Sequence, residues 1–112
     1  MEFRHPAEET ALRFLEARGH SLLAHNFHTG FAEIDLITRD ELGVLHFVEV
    51  RAWQTDSLKH PLESLDARKR ERMRRAAGVF LSSRNAKEGS DSVSFDLVLV
   101  TRGAVEVHAG VF

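Results

Sequence analysis

A chain of 112 residues can enclose one hydrophobic core but not two, so we expect a single domain over residues 1–112. It has no cysteine, which excludes disulfides, thiolate metal sites and thiol catalysis and fits a cytoplasmic protein. No apolar run approaches the ~20 residues that cross a bilayer, and the first residues lack the apolar stretch of a signal peptide, so no membrane association is expected.

The net charge of −2 is unevenly distributed along the chain. Residues 66–75 contain six cationic and two acidic side chains, so this segment carries +4 and the rest of the chain carries −6. This asymmetry predicts one basic surface that suits contact with nucleic-acid phosphates, although a solvated helix face is the alternative. The candidate nucleic-acid contacts are Lys69, Arg68, Arg72 and Arg75.

The chain begins with helical signals. Pro6 suits the first position of a helix, and Glu8 and Glu9 suit its first turn. Apolar residues recur at helical spacing until Gly19, a natural stop, so we predict a helix over about 6–18.

Strands and a second helix follow. Apolar runs bounded by turn residues predict five strands, over 21–27, 31–38, 44–53, 93–101 and 105–108. The third should be central in the sheet, because it is apolar on both faces around Val48 and Val50. Residues 54–64 read as a loop or short helix, and a helical stripe that includes Lys69 predicts a helix over 65–82. The expected order is α-β-β-β-α-β-β.

Two of the predicted strands carry acidic residues inside apolar runs. Side chains alternate along a strand, so Glu33 and Asp35 share one face, as do Glu49 and Arg51. A carboxylate among Val, Ile and Leu is costly to bury unless something pairs with it. We therefore expect the carboxylates and a cation to gather at one place.

That arrangement is typical of a divalent-metal site that acts on phosphate. Mg²⁺ or Mn²⁺ held by carboxylates can activate water and neutralise charge in phosphodiester hydrolysis. Asp35 and Glu49 are the candidate ligands, with the backbone carbonyl of Val50 as a third. Arg51 could hold the scissile phosphate. The alternative is a salt bridge between these carboxylates and Arg51, without any metal.

The motifs also resemble a known family. The YraN-like proteins, a family of small uncharacterised bacterial proteins, carry similar segments and are placed in the PD-(D/E)XK nuclease superfamily. The matching segments here are Ala7-Glu8, Ala11, Leu15, Gly19-His20, Asn26, residues 32–37 (Ala-Glu-Ile-Asp-Leu-Ile), residues 47–51 (Phe-Val-Glu-Val-Arg), Lys69 and Phe95-Asp96. The resemblance covers nearly the whole chain and implies a mixed α/β fold with a restriction-endonuclease-like core.

The resemblance also implies a function. It implies a Mg²⁺-dependent endonuclease acting on DNA, with Asp35 and Glu49 as metal ligands and Glu8 as an additional acidic site residue. Arg51 stands where the superfamily has lysine, and Arg remains protonated, so it can bind phosphate but cannot act as a general base. A catalytically inactive nucleic-acid-binding module and a protein-interaction subunit are the alternatives.

Other residues are expected to be structural. The seven histidines lack the paired spacing of a zinc site, so we place them at the surface. Trp53 could stack on a base or pack at the rim of the core. Asp96 should act as a structural cap or make a structural pair, with the basic helix as the candidate partner. The apolar tail over 105–112 could form a homodimer interface.

Overall fold

The structure, a computed structural model, describes residues 2–53, 65–84, 92–102 and 104–112. Within these ranges the elements are α1 (Pro6–Glu16), β1 (Ser21–His28), β2 (Glu33–Arg39), β3 (Leu45–Ala52), α2 (Ala67–Ser82), β4 (Val93–Thr101) and β5 (Ala104–His108). The order α-β-β-β-α-β-β, the mixed α/β class and the restriction-endonuclease-like core are confirmed. The loop or short helix predicted over 54–64 lies outside the described residues.

The five strands form one mixed sheet in the order β1-β2-β3-β4-β5. β3 pairs parallel with β4 along its whole length, and the other neighbouring pairs are antiparallel. Parallel neighbours need a crossover connection, and α2 lies between β3 and β4 in the chain. β3 is the third of the five strands in the sheet, so its predicted central position is confirmed.

Helix α1 covers one face of the sheet. His5 caps its first turn by accepting the N–H of Ala7 at 3.0 Å on Nδ1, and Pro6 follows at the first helical position. After the helix, Gly19 has a φ of +93°, and a Cβ there would lie 2.7 Å from the Glu41 side chain. The core on this face comprises Ala11, Leu12, Leu15, Leu36, Val48 and Val98.

Helix α2 contributes to a second core cluster. Its N-terminus is capped by Asp66, whose Oδ1 accepts the N–H of Lys69 at 2.9 Å. The helix starts at Ala67 rather than at the predicted residue 65, because Asp66 is its cap. The cluster comprises Ile34, Ile37, Leu45, Phe47, Ala76, Ala77 and Phe80.

A third cluster joins α2 to β4 and to the end of the chain. Its buried members are Leu65, Met73, Leu97, Leu99 and Phe112. Trp53 packs against this cluster, which supports the packing interpretation of that residue. Phe112 is only 8% exposed, so the last residue of the apolar tail lies in the core of its own chain. The homodimer stays a prediction.

The turn between β1 and β2 differs from the sequence-based expectation. β2 begins at Glu33 rather than at Phe31, because Thr29 organises the preceding residues into a turn. Its hydroxyl accepts the N–H of Phe31 at 3.4 Å and that of Ala32 at 3.2 Å. Its own N–H donates to the Ala32 carbonyl at 2.9 Å, so Phe31 projects from a closed turn instead of a strand.

Neither helix in the described ranges is long and apolar enough to cross a membrane.

Candidate metal and phosphate site

A cavity of about 560 Å³ opens near the end of β3, where residues of β2 and of both helices meet the central strand. The residues predicted to be catalytic or to bind metal all line it: Glu8, Asp35, Glu49, Val50 and Arg51. The structure therefore brings together, from three separate elements, side chains that the sequence could only associate by pattern.

Asp35 lies where β2 and β3 stop pairing. The last paired residues are Leu36 and Val48, and beyond them Asp35 Oδ2 accepts the N–H of Val50 at 2.8 Å. Here a carboxylate replaces a backbone partner, at the point where the cavity opens. Burial, reinforced by the charge of Glu49, raises the pKa of Asp35 to about 8, so this carboxyl holds a proton at neutral pH.

Glu49 lies beside Asp35 and has the opposite protonation preference. Its side chain is 8% exposed, and Oε2 accepts hydrogen bonds from Arg51 Nε at 2.8 Å and from Lys69 Nζ at 2.6 Å. Burial alone would raise the pKa of Glu49, but Lys69 and then Arg51 outweigh it and lower the pKa below its ordinary value. The site therefore holds one neutral and one ionised carboxyl side by side.

Glu8 reaches the cavity from the first turn of α1. It is only 6% exposed, and its Oε1 accepts a hydrogen bond from Asn26 Nδ2 at 3.0 Å. Asn26 has a φ of +48°, a left-handed conformation that asparagine adopts more readily than most residues. Its neighbour Glu9 is exposed and ion-paired with Arg13 on the helix surface. A role limited to helix-dipole compensation therefore suits Glu9 better than Glu8.

The four predicted nucleic-acid contacts divide into three groups. Lys69 and Arg72 line the cavity, and Lys69 also pairs with Glu49. The guanidinium of Arg75 lies 4.6 Å from the ring centroid of Phe31, a residue that lines the cavity. Arg68 is exposed on α2 and does not line the cavity. The charge count of α2 could not reveal that Lys69 forms an ion pair with Glu49.

The donor atoms at this site suit a hard divalent cation. Two carboxyls converge in the cavity, and the pKa of Asp35 is raised by burial and then by the charge of Glu49, so a second negative charge there is costly without a compensating cation. Mg²⁺ commonly uses one or two carboxylates and completes its coordination with water and substrate oxygens. Within the described ranges, no cluster of three or more His, Cys, Asp or Glu side chains has ligand geometry, so a metal here would rely on this pair.

A second polar cluster lies at the other end of β3 and was missed by the sequence reasoning. His46 Nδ1 lies 2.6 Å from Asp96 Oδ2, and His46 Nε2 lies 2.8 Å from Asp40 Oδ2. Carboxylates only accept hydrogen bonds, so a doubly protonated ring satisfies both contacts. The bond with Asp96 accordingly raises the pKa of His46. The neighbouring ring of His20 lies 4.6 Å away and bonds to Thr38.

Two predictions are therefore wrong. The surface position predicted for the histidines fails for His46, whose side chain is 12% exposed. The structural role predicted for Asp96 is confirmed, but its partner is His46, with further bonds from Ser94 and the N–H of Gly110, and not the basic helix. A usable signal was present, because His46 interrupts an apolar strand just as Glu49 does.

The fold and the cavity define a mixed α/β domain with two adjacent carboxyls and two cations at one end of its central strand. Residues 7–100 match the family model described as "Uncharacterised protein family UPF0102". The chain therefore belongs to the UPF0102 family, to which the YraN-like resemblance pointed.

Curated bacterial relatives carry the name "UPF0102 protein". The chain is 40% identical to one from Oleidesulfovibrio alaskensis over 87% of its own length and 46% of the relative's. It is 42% identical to one from Halorhodospira halophila, over 80% of this chain and 74% of the relative. It is also 42% identical to one from Paracidovorax citrulli, over 89% of this chain and 74% of the relative. The chain thus spans less than half of the first relative and about three quarters of the other two.

Proposed function

We propose that this protein is a Mg²⁺- or Mn²⁺-dependent nuclease of the PD-(D/E)XK superfamily that hydrolyses phosphodiester bonds in DNA, with structured or branched DNA as the candidate substrate. One observation carries the proposal. Two adjacent carboxyls with pKa values shifted in opposite directions share a cavity with Arg51 and Lys69. Titratable pairs of this kind are characteristic of functional sites.

The metal-binding part of the proposal rests on Asp35 and Glu49, with the Val50 carbonyl as a third ligand. A divalent cation bound there supplies a water of lowered pKa and stabilises the charge that develops on the phosphate. Glu8 also lines the cavity, its charge acts on Asp35, and it would orient such a water or accept a proton from it. Asn26 holds Glu8 in position for this role.

The phosphate-binding part rests on the cations. Arg51 and Lys69 both bond to Glu49 Oε2, so each side chain reaches the carboxylate pair from its own element. Arg51 offers a planar fork of donors suited to two phosphate oxygens. Lys69 offers a second, more compact charge, and Arg72 extends the positive lining toward solvent.

A catalytically inactive nucleic-acid-binding module is the second candidate. One observation favours it: Glu49 Oε2 already has two cationic partners, so the carboxylate is satisfied without a metal. In that case the pocket is a salt-bridge network and the exposed arginines of α2 carry the binding. A protein-interaction subunit, the third possibility, predicts no salt-dependent binding of nucleic acid at all.

The test is a cleavage panel with matched variants. Labelled single-stranded DNA, duplex, flap, four-way junction and RNA are incubated with the protein in Mg²⁺, Mn²⁺ or EDTA. Asp35→Asn removes a proposed ligand, and Glu9→Gln removes an exposed carboxylate outside the cavity as its control. We expect metal-dependent cleavage by the wild type and by Glu9→Gln, and none by Asp35→Asn. Cleavage that persists in Asp35→Asn would refute the assignment of the site.

The same panel separates the candidates. Binding without cleavage, weakening as salt rises, identifies the inactive module. Absence of both cleavage and binding leaves the protein-interaction subunit.

A further inference from the structure

The aromatic ring of Phe31 lies outside the hydrophobic core. It is 39% exposed and is the only aromatic residue among the large exposed apolar side chains in the described part of the chain. It belongs to none of the three core clusters, although its neighbour Ala32 packs against one of them. The ring contacts the guanidinium of Arg75. Packing in the hydrophobic core therefore does not account for a phenylalanine at this position.

The ring stands at the rim of the candidate site. Phe31 lines the same cavity as Asp35, Glu49 and Arg51. The Thr29 turn holds its backbone through three hydrogen bonds, from the Phe31 and Ala32 N–H groups to Thr29 Oγ1 and from the Thr29 N–H to Ala32. These bonds fix the backbone that carries the ring, which limits the entropy that the turn itself loses on binding.

The arginines beside the ring suit an anionic ligand that also carries a flat face, although carboxyls line the same cavity. Arg75 lies against the ring, and Arg72, also on α2, lines the cavity. An aromatic ring interleaved with cations along a groove is the pattern by which proteins bind single-stranded nucleic acid, with bases stacked and phosphates paired. An apolar peptide would gain nothing from these arginines.

We propose that Phe31 is a stacking platform for an unpaired nucleobase, and that the protein therefore selects nucleic acid with unpaired nucleotides beside the phosphate held at the cavity. In the interior of a continuous duplex both faces of each base are covered by neighbouring pairs, so away from the duplex ends an external ring can stack only on a base that is unpaired or splayed. The inference rests on the nucleic-acid binding in the proposed function, and it narrows the substrate to single strands, tails and junction points.

The experiment measures binding in EDTA, so that cleavage cannot interfere. Fluorescence anisotropy compares one DNA sequence as a single strand, as a blunt duplex and as a duplex with a single-stranded tail, with an RNA strand as a further arm. Phe31→Ala removes the ring, Phe31→Trp retains a stacking face, and Leu42→Ala removes an exposed apolar side chain that does not line the cavity. Arg72→Ala removes a cation instead of a ring.

We expect Phe31→Ala to weaken binding of the single strand and of the tailed duplex by about five- to a hundredfold, and Phe31→Trp to restore it. Blunt-duplex binding and the salt dependence should not change. Arg72→Ala should weaken all ligands and reduce the salt slope. A 2-aminopurine base at the tail should lose fluorescence on the wild type and on Phe31→Trp but retain it on Phe31→Ala.

Two results would overturn the inference. One is a blunt duplex bound as tightly as the single strand, and the other is single-strand affinity unchanged in Phe31→Ala. The outcome is separable from that of the cleavage proposal. If binding depends on Phe31 but no substrate is cleaved, the stacking platform is supported and the nuclease proposal is rejected. Cleavage that is unaffected by Phe31→Ala retains the nuclease and removes the stacking platform. Absence of binding to every ligand removes the stacking platform, and absence of cleavage with Mg²⁺ or Mn²⁺ in the panel removes the nuclease.

Discussion

Replacing Asp35 with asparagine should stabilise the folded protein at neutral pH while it abolishes the proposed activity. The amide has nearly the shape of the carboxyl, its oxygen can still accept the N–H of Val50, and its NH₂ group can donate to Glu49. The substitution removes the free-energy cost of the Asp35 carboxyl, which in the folded protein must either ionise beside Glu49 or stay protonated at a pH well above its ordinary pKa.

The pH dependence follows from the direction of the shift. The ordinary pKa of 3.8 rises to about 8 in the folded protein, so the folded state retains the Asp35 proton over a range in which the unfolded chain has lost it. Stability from this group is complete below about pH 4 and falls as the pH rises toward 8. At pH 7 about three pH units separate the solvent from the ordinary pKa, and each unit corresponds to about 1.4 kcal/mol, which sets a ceiling of about 4 kcal/mol.

Water in the open cavity screens part of this cost, so we expect Asp35→Asn to raise the free energy of unfolding by about 1–3 kcal/mol at pH 7. Urea unfolding of the wild type and the variant from pH 4 to pH 8 measures the difference, and Glu9→Gln is the exposed control. The gain should be small at pH 4 and increase with pH. A variant less stable than the wild type at pH 8, or a gain independent of pH, would refute the electrostatic account of Asp35.

Metal provides the second half of the same test. Mg²⁺ at ten times its dissociation constant should stabilise the wild type by about 1.4 kcal/mol, because it binds the folded state only. At one fixed Mg²⁺ concentration the stabilisation should grow between pH 6 and pH 8 as Asp35 gives up its proton, since carboxylate ligands must be deprotonated. Asp35→Asn should show no such stabilisation. Equal Mg²⁺ effects on the two proteins would place the metal elsewhere or exclude it.

Three further predictions concern the other charged groups. Lys69→Met should raise the pKa of Glu49, followed by NMR titration of its side-chain carboxyl, because the first of its two cationic partners is lost; an unchanged pKa would contradict the 2.6 Å contact. Glu8→Gln should reduce cleavage by about 10²- to 10⁴-fold if it handles a proton, whereas Glu9→Gln should leave the rate unchanged; equal rates in the two variants would remove Glu8 from the site. His46→Gln should lower the free energy of unfolding by about 1.5–3 kcal/mol at pH 6 and by less at pH 9. The pKa of His46 is raised in the folded protein, so the stability that its charged ring contributes is lost as the pH rises through that pKa. An equal loss at both pH values in urea unfolding would count against a charged His46.

The sequence by itself determined the order of the elements and one half of the site. Helix and strand periods are local properties, so caps, turn residues and apolar spacing located both helices and all five strands within the described ranges. The pairing of Glu49 with Arg51 is also local, since residues two apart on a strand share a face. Asp35 came from the same alternation on the preceding strand.

Only the tertiary structure decided which distant groups meet. The sequence placed Lys69 on the stripe of the basic helix and among the candidate nucleic-acid contacts, but its contact with Glu49, twenty residues away, depends on how α2 packs against the sheet. His46 and Asp96 lie fifty residues apart and meet because β3 and β4 are parallel neighbours. The raised pKa of Asp35 has the same origin. Burial and the approach of a second carboxyl are properties of the packed chain, and no spacing in the sequence specifies them.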